Sequence, residues 1–238
     1  GWYGFNFGST LDFDDELADV AGRIAVCTTL SAASAGVVTV CLDRALSPAK
    51  EFEVTAMCNG ILAGLVSVTA GCASVPTWSA VVLGGVGGFV YFAASRLVLR
   101  CRVDDPLDAF AVHGACGAWG VLGAAVLSSG HYSEGGLIAG KGDMLGAAAV
   151  FVLAVSSWSA SMSLVVFCAL DKLQLLRLPH RYLAMAGGGI DAGARLDAST
   201  HSGLAFVECR PAIPSSTRRP AAPADEQAVA GVGAVELQ

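Results

Sequence analysis

The sequence predicts an all-α, polytopic membrane helix bundle. Of its 238 residues, 54% are hydrophobic and only 14% are charged, whereas soluble domains carry about 25% charged residues. Mean hydropathy is +0.62, and the charged side chains lie between long runs that contain none. This composition excludes a disordered protein and an ordinary soluble enzyme, and it indicates a chain whose main solvent is lipid. The formal net charge of −6 excludes a nucleic-acid binder.

Four runs without Asp, Glu, Lys or Arg predict where the chain crosses the bilayer: 24–42, 54–95, 109–133 and 144–170. A membrane span needs about 20 apolar residues. The second run is about twice that length, and Pro76 interrupts it near the middle, so we expect two spans that turn around 73–77. The sequence therefore predicts five full spans, at about 21–42, 54–73, 77–97, 107–127 and 146–170.

The distribution of Lys and Arg predicts the orientation of these spans, because basic residues accumulate on the cytoplasmic side. The connections on one side carry Arg44, Lys50, Arg96, Arg100, Arg102, Lys172, Arg177 and Arg181, and those on the other carry Arg23 and Lys141. We therefore expect loops 43–53 and 98–106 and the C-terminal tail to be cytoplasmic. The acidic segment 12–16 and loop 128–142 should face outside.

Small residues within the spans predict close helix packing. Gly60 and Gly64 are four residues apart, as are Gly84 and Gly88, and such pairs let helices approach closely in lipid. The eight cysteines include no C-x-x-C pair, so we expect no disulfide framework, zinc site or thiol-redox motif. They are interpreted as small apolar residues.

The segment 103–125 carries the candidate chemistry. Asp105 followed by Pro106 is typical of a helix start, with Asp at the N-cap and Pro at the first helical position. Asp108 then falls at the third helical position, where its carboxylate would bond free backbone donors and meet the positive helix end. Capping explains both aspartates without any role in substrate handling.

His113 is predicted to lie well inside the membrane. It follows Pro106 by seven residues, or about 10 Å at 1.5 Å per residue. An ionisable side chain at that depth is expected to face the bundle interior or a conduit. Two readings stay open: a pathway residue that accepts or passes a proton, and a neutral imidazole that ties two helices together. With Cys116 it supplies only two ligands, so we predict no metal site and no cofactor.

The first nine residues, GWYGFNFGS, are aromatic and apolar, and no initiator Met or signal peptide precedes them. They are interpreted as the last turns of a sixth span that begins upstream, which would make the chain a fragment. The alternative is a short interfacial aromatic segment, since Trp and Tyr favour the membrane interface.

Two of these segments resemble a known family. DDPLDAFAVHGACGAWG at 104–120 is similar to the signature helix of the ammonium transporter (Amt/Rh) family, and GWYGFNFGS at 1–9 resembles the end of its sixth helix. The order and spacing of the later hydrophobic segments match helices seven to eleven. The CGAWG ending at 116–120 is most similar to plant and algal ammonium transporters. The resemblance covers about residues 1–210.

The resemblance implies a fold and an assembly. The family has eleven helices, the first ten of which form two inverted five-helix repeats, with an outside N-terminus and a cytoplasmic C-terminus. Three subunits assemble with one conduit each. This chain would be the C-terminal portion, helices six to eleven, which includes the second inverted repeat. We expect a multi-pass protein of the plasma membrane in a homotrimer or a heterotrimer with related subunits.

The resemblance also implies roles for single residues. His113 matches the second of two histidines paired at mid-membrane, Ser9 the serine of the outer recruitment site, and Phe5 one of the phenylalanines that gate the conduit. Asp108 matches the family's helix-start aspartate. The expected function is ammonium transport rather than enzymatic catalysis: NH4+ is gathered and deprotonated outside, NH3 crosses an apolar conduit, and imidazoles relay the proton.

Three alternatives to a complete transporter stay open. A conduit between inverted repeats cannot be built from one repeat, so the chain is either a partial sequence or a truncated subunit that does not transport. A sensor that binds ammonium and signals through its tail is another alternative. A channel for a different small solute, such as methylammonium or CO2, is the third.

The composition changes after about residue 170. Residues 171–210 are predicted to form a cytoplasmic regulatory tail, because 189–206 resembles the family's tail motif. Ser199 and Thr200 are candidate phosphorylation sites, where a phosphate would add roughly −1.5 to −2 charges; unmodified residues are the alternative. Residues 211–238 are low in complexity and predicted to be disordered.

Overall fold

The computed structural model describes residues 1–9, 15–46, 52–103, 105–131 and 133–176. All regular structure within these ranges is helical. The α-helices are α1 Trp2–Gly8, α2 Asp15–Leu46, α3 Val54–Thr69, α4 Thr77–Arg100, α5 Cys116–Leu127 and α6 Asp143–Lys172. A π-helical segment, Phe110–Ala115, leads directly into α5, and a short 3-10 helix, Leu137–Ala139, precedes α6.

Several predictions lie outside the described ranges. They concern the regulatory tail beyond residue 176, including Ser199 and Thr200, and the C-terminal stretch 211–238. Part of the acidic segment 12–16 also lies outside them.

The helices follow the predicted spans but differ from them at their ends. Four segments of the described chain are long and apolar enough to cross a membrane: Ala18–Leu46, Thr77–Arg100, Phe110–Leu127 and Asp143–Lys172. α3 is shorter than the predicted span 54–73, because the chain turns from residue 70 onward. Gly71 is a weak helix former and Pro76 cannot donate a backbone hydrogen bond, so the turn between them separates α3 from α4.

The core is built where α2 packs against both α3 and α4. The π-helical segment and α5 pack against α3 and α4 on another side, while α1 lies against α2. Near one end of the bundle, buried apolar side chains of several helices form one cluster. Its members are Ile24, Cys27, Val68, Cys72, Val75, Ala80, Leu83 and Leu127. This arrangement leaves α6 at the periphery, in contact with α5.

Glycines allow the central helices to approach closely. A Cβ atom placed on Gly64 of α3 or on Gly84 of α4 would collide with the backbone carbonyl oxygen of Ser31 on α2. A Cβ on Gly60 would lie 2.6 Å from the Thr39 side chain. The predicted close packing at these glycines therefore corresponds to real backbone approaches, with α2 wedged against both neighbours.

Hydroxyl groups link the same helices. The Ser31 hydroxyl donates to the carbonyl oxygen of Gly64 at 2.7 Å, and the Thr39 hydroxyl donates to that of Gly88 at 3.4 Å. Toward the other end of α2, an Arg96 guanidinium nitrogen lies 3.3 Å from an Asp43 carboxylate oxygen. Because lipid offers no partners for polar groups, such bonds are satisfied between helices.

α6 is predominantly apolar, with no charged side chain from 144 to 170, and it is almost entirely exposed within the described residues. Ala148 is its only buried residue, and its exposed side chains include Phe151, Trp158, Leu164 and Phe167. A helix that is hydrophobic all round is typical of a segment surrounded by lipid or by other membrane protein. The seven described cysteines carry free thiols.

The close approach at Gly84 predicts that replacing it with Ala destabilises the bundle. We expect Gly84→Ala to lower the free energy of unfolding by about 1–3 kcal/mol, the usual range for overpacking. Gly85 is the matched control on the same helix, because a Cβ there meets only Val38 at 3.8 Å. Denaturant unfolding in detergent would measure both variants, and equal losses in the two would contradict this account of the packing.

Candidate functional site

His113 lies within the π-helical segment, on a helix and not in a loop. Its ring stacks on the indole of Trp2, with ring centroids 6.4 Å apart and planes at 22°. The Trp2 ring in turn lies 6.1 Å from the ring of Phe5, tilted by 48°. The structure therefore places the three rings in one continuous row, here called the aromatic row (Phe5, Trp2 and His113).

Polar anchors position α1 so that it can contribute to this row. The Trp2 indole Nε1 donates to the Thr69 hydroxyl on α3 at 3.2 Å. The buried Asn6 donates from its amide nitrogen to the Thr28 hydroxyl on α2 at 3.1 Å. These two bonds fix α1 against α3 and α2.

Ser9 lies at the C-terminal end of α1, next to the aromatic row. Its hydroxyl donates to the carbonyl oxygen of Phe5 at 2.6 Å. A hydroxyl has one donor hydrogen and two acceptor lone pairs, so this bond leaves the Ser9 oxygen able to accept. A ligand that only donates hydrogen bonds would therefore suit the remaining capacity of Ser9.

The described chain covers only one side of the aromatic row. His113 is exposed, and Phe5 retains 60% of its accessible surface. An ionisable side chain inside a membrane is stable where it faces protein or a water-lined path. The described part of the bundle does not enclose His113, so within it the row forms an open face and not a closed conduit.

The helix that carries His113 begins later than predicted. Pro106 and Leu107 form a turn, and the helix starts after Asp108. The positions assigned to Asp105 as N-cap and Asp108 as third helical residue are therefore wrong. The two Asp105 carboxylate oxygens instead reach across the turn and accept from the backbone N–H groups of Ala109 and Phe110, both at 2.8 Å. The first free donors are thus satisfied by a side chain one turn away.

Asp108 connects the helix start to two other helices. Its carboxylate accepts hydrogen bonds from the Tyr91 hydroxyl at 2.7 Å, from the Ser95 hydroxyl at 2.8 Å and from the Asn59 amide nitrogen at 3.4 Å. Sequence reasoning missed these donors. A signal was available, because Tyr91 and Ser95 are polar residues four apart in a charge-free helical run and therefore share one face.

Trp2 is the other residue that sequence reasoning missed. Its aromatic character was noted only as part of the first segment, and no local pattern pairs it with a histidine more than a hundred positions along the chain. The contact depends on how α1 docks, which is a tertiary property.

A glycine shapes the π-helical segment beside His113. A Cβ atom on Gly114 would lie 2.9 Å from the ring of Phe110, so this ring lies over a position that only glycine leaves open. π-Helical turns occur frequently at functional sites, where the wider turn changes the direction of a side chain. The chemistry within reach is that of a neutral imidazole, which can both donate and accept a hydrogen bond.

His113 and Cys116 do not form a metal site. The Cys116 thiol is fully buried and points to the carbonyl oxygen of Gly87 at 3.4 Å, whereas His113 is exposed. Among the described residues, no group of three or more His, Cys, Asp or Glu is arranged to hold a metal ion.

Sequence comparison shows what the chain is similar to. The model of the Ammonium Transporter Family matches residues 1–182. Ammonium transporter 1 member 2 of Oryza sativa subsp. japonica is 33% identical over 226 residues, which covers 87% of this chain and 43% of the rice protein. Ammonium transporter 1 member 1 of Arabidopsis thaliana is 32% identical over 227 residues, with the same coverage of 87% and 43%. The chain therefore spans less than half the length of these relatives.

Comparison of the fold agrees with that of the sequence. The crystal structure of Saccharomyces cerevisiae Mep2 superposes with a TM-score of 0.70 at 26% identity, over 81% of this chain and 43% of that one. A protein described as a sensor Amt protein superposes with a TM-score of 0.66 at 32% identity, over 75% of this chain and 42% of that one. The predicted all-α membrane bundle and its resemblance are thereby confirmed, and this chain belongs to the Ammonium Transporter Family.

Proposed function

We propose that this chain forms one wall of a transmembrane ammonium conduit. The observation that carries the proposal is the aromatic row, in which His113 stacks on Trp2 beside Phe5. Membership of the family supports ammonium as the substrate, because the curated plant relatives are ammonium transporters. A row of aromatic faces ending at an imidazole suits a substrate that is a cation when it arrives and a neutral base when it has lost a proton.

Recruitment of NH4+ would use Ser9 and the aromatic faces. NH4+ has four donor hydrogens and no acceptor, and the Ser9 oxygen has accepting capacity left after its bond to Phe5. Cation–π attraction adds about 0.5–1 kcal/mol at exposed sites and about 2 kcal/mol or more when the cation is desolvated. Phe5, next to Ser9, would then separate this outer site from His113.

Deprotonation would split NH4+ into NH3 and a proton, which then cross the membrane by separate routes. NH4+ transfers one proton to an acceptor in the pathway, NH3 continues through the apolar stretch, and the proton passes along imidazoles until NH3 takes one up on the far side. His113 is one such imidazole. Moving an intact cation through hydrocarbon surroundings is costly. K+ has no proton to give up and would be excluded, which accounts for selectivity.

A closed conduit requires further protein on the open side of the row. Among the described residues His113 and Phe5 are both exposed, so a second wall would have to cover them. The chain spans 43% of the length of its plant relatives. A first inverted repeat would supply that second wall, and trimers of such subunits, homomeric or mixed, are the assembly we propose.

The orientation of the chain in the bilayer and the identity of its membrane are also part of the proposal. The excess of Lys and Arg on one side supports a cytoplasmic C-terminus, and a location in the plasma membrane is part of the same proposal. Ser199 and Thr200 stay predicted sites of phosphorylation in the tail.

An ammonium sensor is the second candidate function. The similarity to a sensor Amt protein at 32% identity favours it, since sensing and transport would use the same binding face. Measuring ammonium uptake and ammonium-dependent growth control in the same cells separates the two. Growth control without uptake would indicate a sensor or a non-transporting subunit.

The relay assignment predicts the outcome of removing the imidazole. In the longest natural product of the gene, we expect His113→Ala to reduce saturable, electrogenic ammonium uptake by about a hundredfold or more, in line with the loss of a group that moves a proton. His131→Ala removes an exposed imidazole in the connection after α5 and should leave uptake unchanged. Wild-type ammonium currents in His113→Ala, with K+ still excluded, would disprove the relay.

The stacking of His113 on Trp2 predicts a separate effect on uptake. We expect Trp2→Leu to reduce ammonium uptake by about 2- to 10-fold, because the ring contact that orients the imidazole is lost, and such contacts contribute about 0.5–1.5 kcal/mol. Thr69→Val is the matched control, since it removes the hydrogen bond to the indole and keeps the ring. A larger effect of Thr69→Val would mean that anchoring of α1, and not the stacked ring, matters for uptake.

A further inference from the structure

Asp108 stands five residues before His113 and two residues before the start of the π-helical segment. We propose that Asp108 is a positioning residue for His113: through its bonds to α3 and α4 it sets the rotation of the π-helical segment, and therefore the direction of the imidazole. The functional consequence depends on the function proposed above, whereas the geometric one can be measured without it.

The first step concerns the hydrogen bonds that tie the Asp108 carboxylate to α3 and α4, here called the tether. The carboxylate oxygens of Asp108 accept from two hydroxyls on α4, those of Tyr91 and Ser95, and from the Asn59 amide on α3. Tyr91 is 5% exposed, so this donor is held by packing on its other sides. Hydrogen bonds to an ionised acceptor are stronger than those between neutral groups. The carboxylate is therefore fixed relative to two helices of the core.

The second step links the tether to the backbone. Asp108 has a φ of +55°, which Asp and Asn tolerate better than most residues. Its carbonyl oxygen accepts from the N–H of Val112 at 2.9 Å, which is the first bond of the following helical segment, and its own N–H donates to the Asp105 carbonyl oxygen at 3.1 Å. A change in the position of Asp108 would therefore turn the first helical residues with it.

The third step concerns the segment between Asp108 and His113. Ala111 and Val112 are buried and pack in a cluster with Ala63, Tyr91 and Cys116. The side of the segment opposite His113 is thus held by apolar packing, and its beginning is held by Asp108. The packed side and the anchored beginning fix the orientation of the π-helical segment. In that orientation the His113 imidazole points onto the face of Trp2.

The test compares variants that remove the hydrogen bonds of Asp108 while keeping its backbone conformation in the turn. Asp108→Gly keeps a residue that adopts positive φ and removes the carboxylate. Tyr91→Phe and Ser95→Ala keep the carboxylate and remove one donor each. Ser161→Ala is the matched control, because its hydroxyl lies on the exposed α6 and donates to the Ser157 carbonyl of the same helix.

The direct readout is the histidine NMR spectrum of the longest natural product of the gene in lipid nanodiscs, labelled at the imidazole nitrogens and carbons. The His113 signal is the one that His113→Ala removes, and stacking on Trp2 should shift it by the ring current of the indole. We expect Asp108→Gly to abolish that shift and Ser161→Ala to preserve it. An unchanged His113 signal in an Asp108→Gly protein that reaches the membrane normally would overturn the proposal.

The functional readout is a double-variant cycle on ammonium uptake at equal surface expression. We expect Asp108→Gly to lower uptake about tenfold or more and to have no further effect on a His113→Ala background, because residues that act through one another are not additive. If the fold-losses of the two single variants multiply in the double variant, Asp108 acts independently of His113, and the positioning role is overturned. If His113→Ala itself transports normally, the relay fails, and the NMR result still decides whether Asp108 positions the ring.

The proposal stays testable even if the Asp108→Gly variant does not fold. If Asp108→Gly does not reach the membrane, Tyr91→Phe and Ser95→Ala take its place, since each removes a single bond. A His113 signal that moves in either variant supports the tether, and a signal unchanged in both overturns it.

Discussion

Inside a bilayer a polar group without a partner in the protein is costly, because lipid supplies none. This constraint accounts for the helices, whose backbones are satisfied internally, and for what happens where they end. The Asp105 carboxylate takes up the first free N–H groups of the segment that carries His113. Asp108, a potential charge at a helix start, is held by three donors from α3 and α4.

Close packing is what brings those partners within reach. Ser31 of α2 contacts the backbones of both α3 and α4, at Gly64 and Gly84. The same serine donates its hydroxyl to the Gly64 carbonyl. Small residues thus have two effects: they increase van der Waals contact between helices, and they shorten interhelical distances until hydroxyl groups can reach carbonyl oxygens. The rigid α2–α3–α4 unit that results is the support for α1 and for the π-helical segment.

The candidate site combines a firmly held inner side with an open outer side. Ala111, Val112 and Cys116 pack into the core, while His113 faces away from it. His113, Phe5 and nearly all of α6 are exposed within the described residues, and the chain spans less than half the length of its plant relatives. If the aromatic row is the conduit wall proposed above, it has to be rigid, because a ring displaced by about 1 Å would no longer face the substrate.

The sequence by itself determined the class of protein, because repeated charge-free runs of 19 to 42 residues have few explanations other than lipid. It also determined which residues to examine, since His113 is an ionisable side chain within a long charge-free run, and Phe5 and Ser9 belong to a recognisable segment. Helix ends were less accessible to sequence reasoning: the later start after Asp108 depends on a positive φ that no local pattern reveals. Only the tertiary structure decided that Trp2 stacks on His113 and that Asp108 bonds to α3 and α4, because both contacts join residues far apart in the chain and depend on how the helices dock.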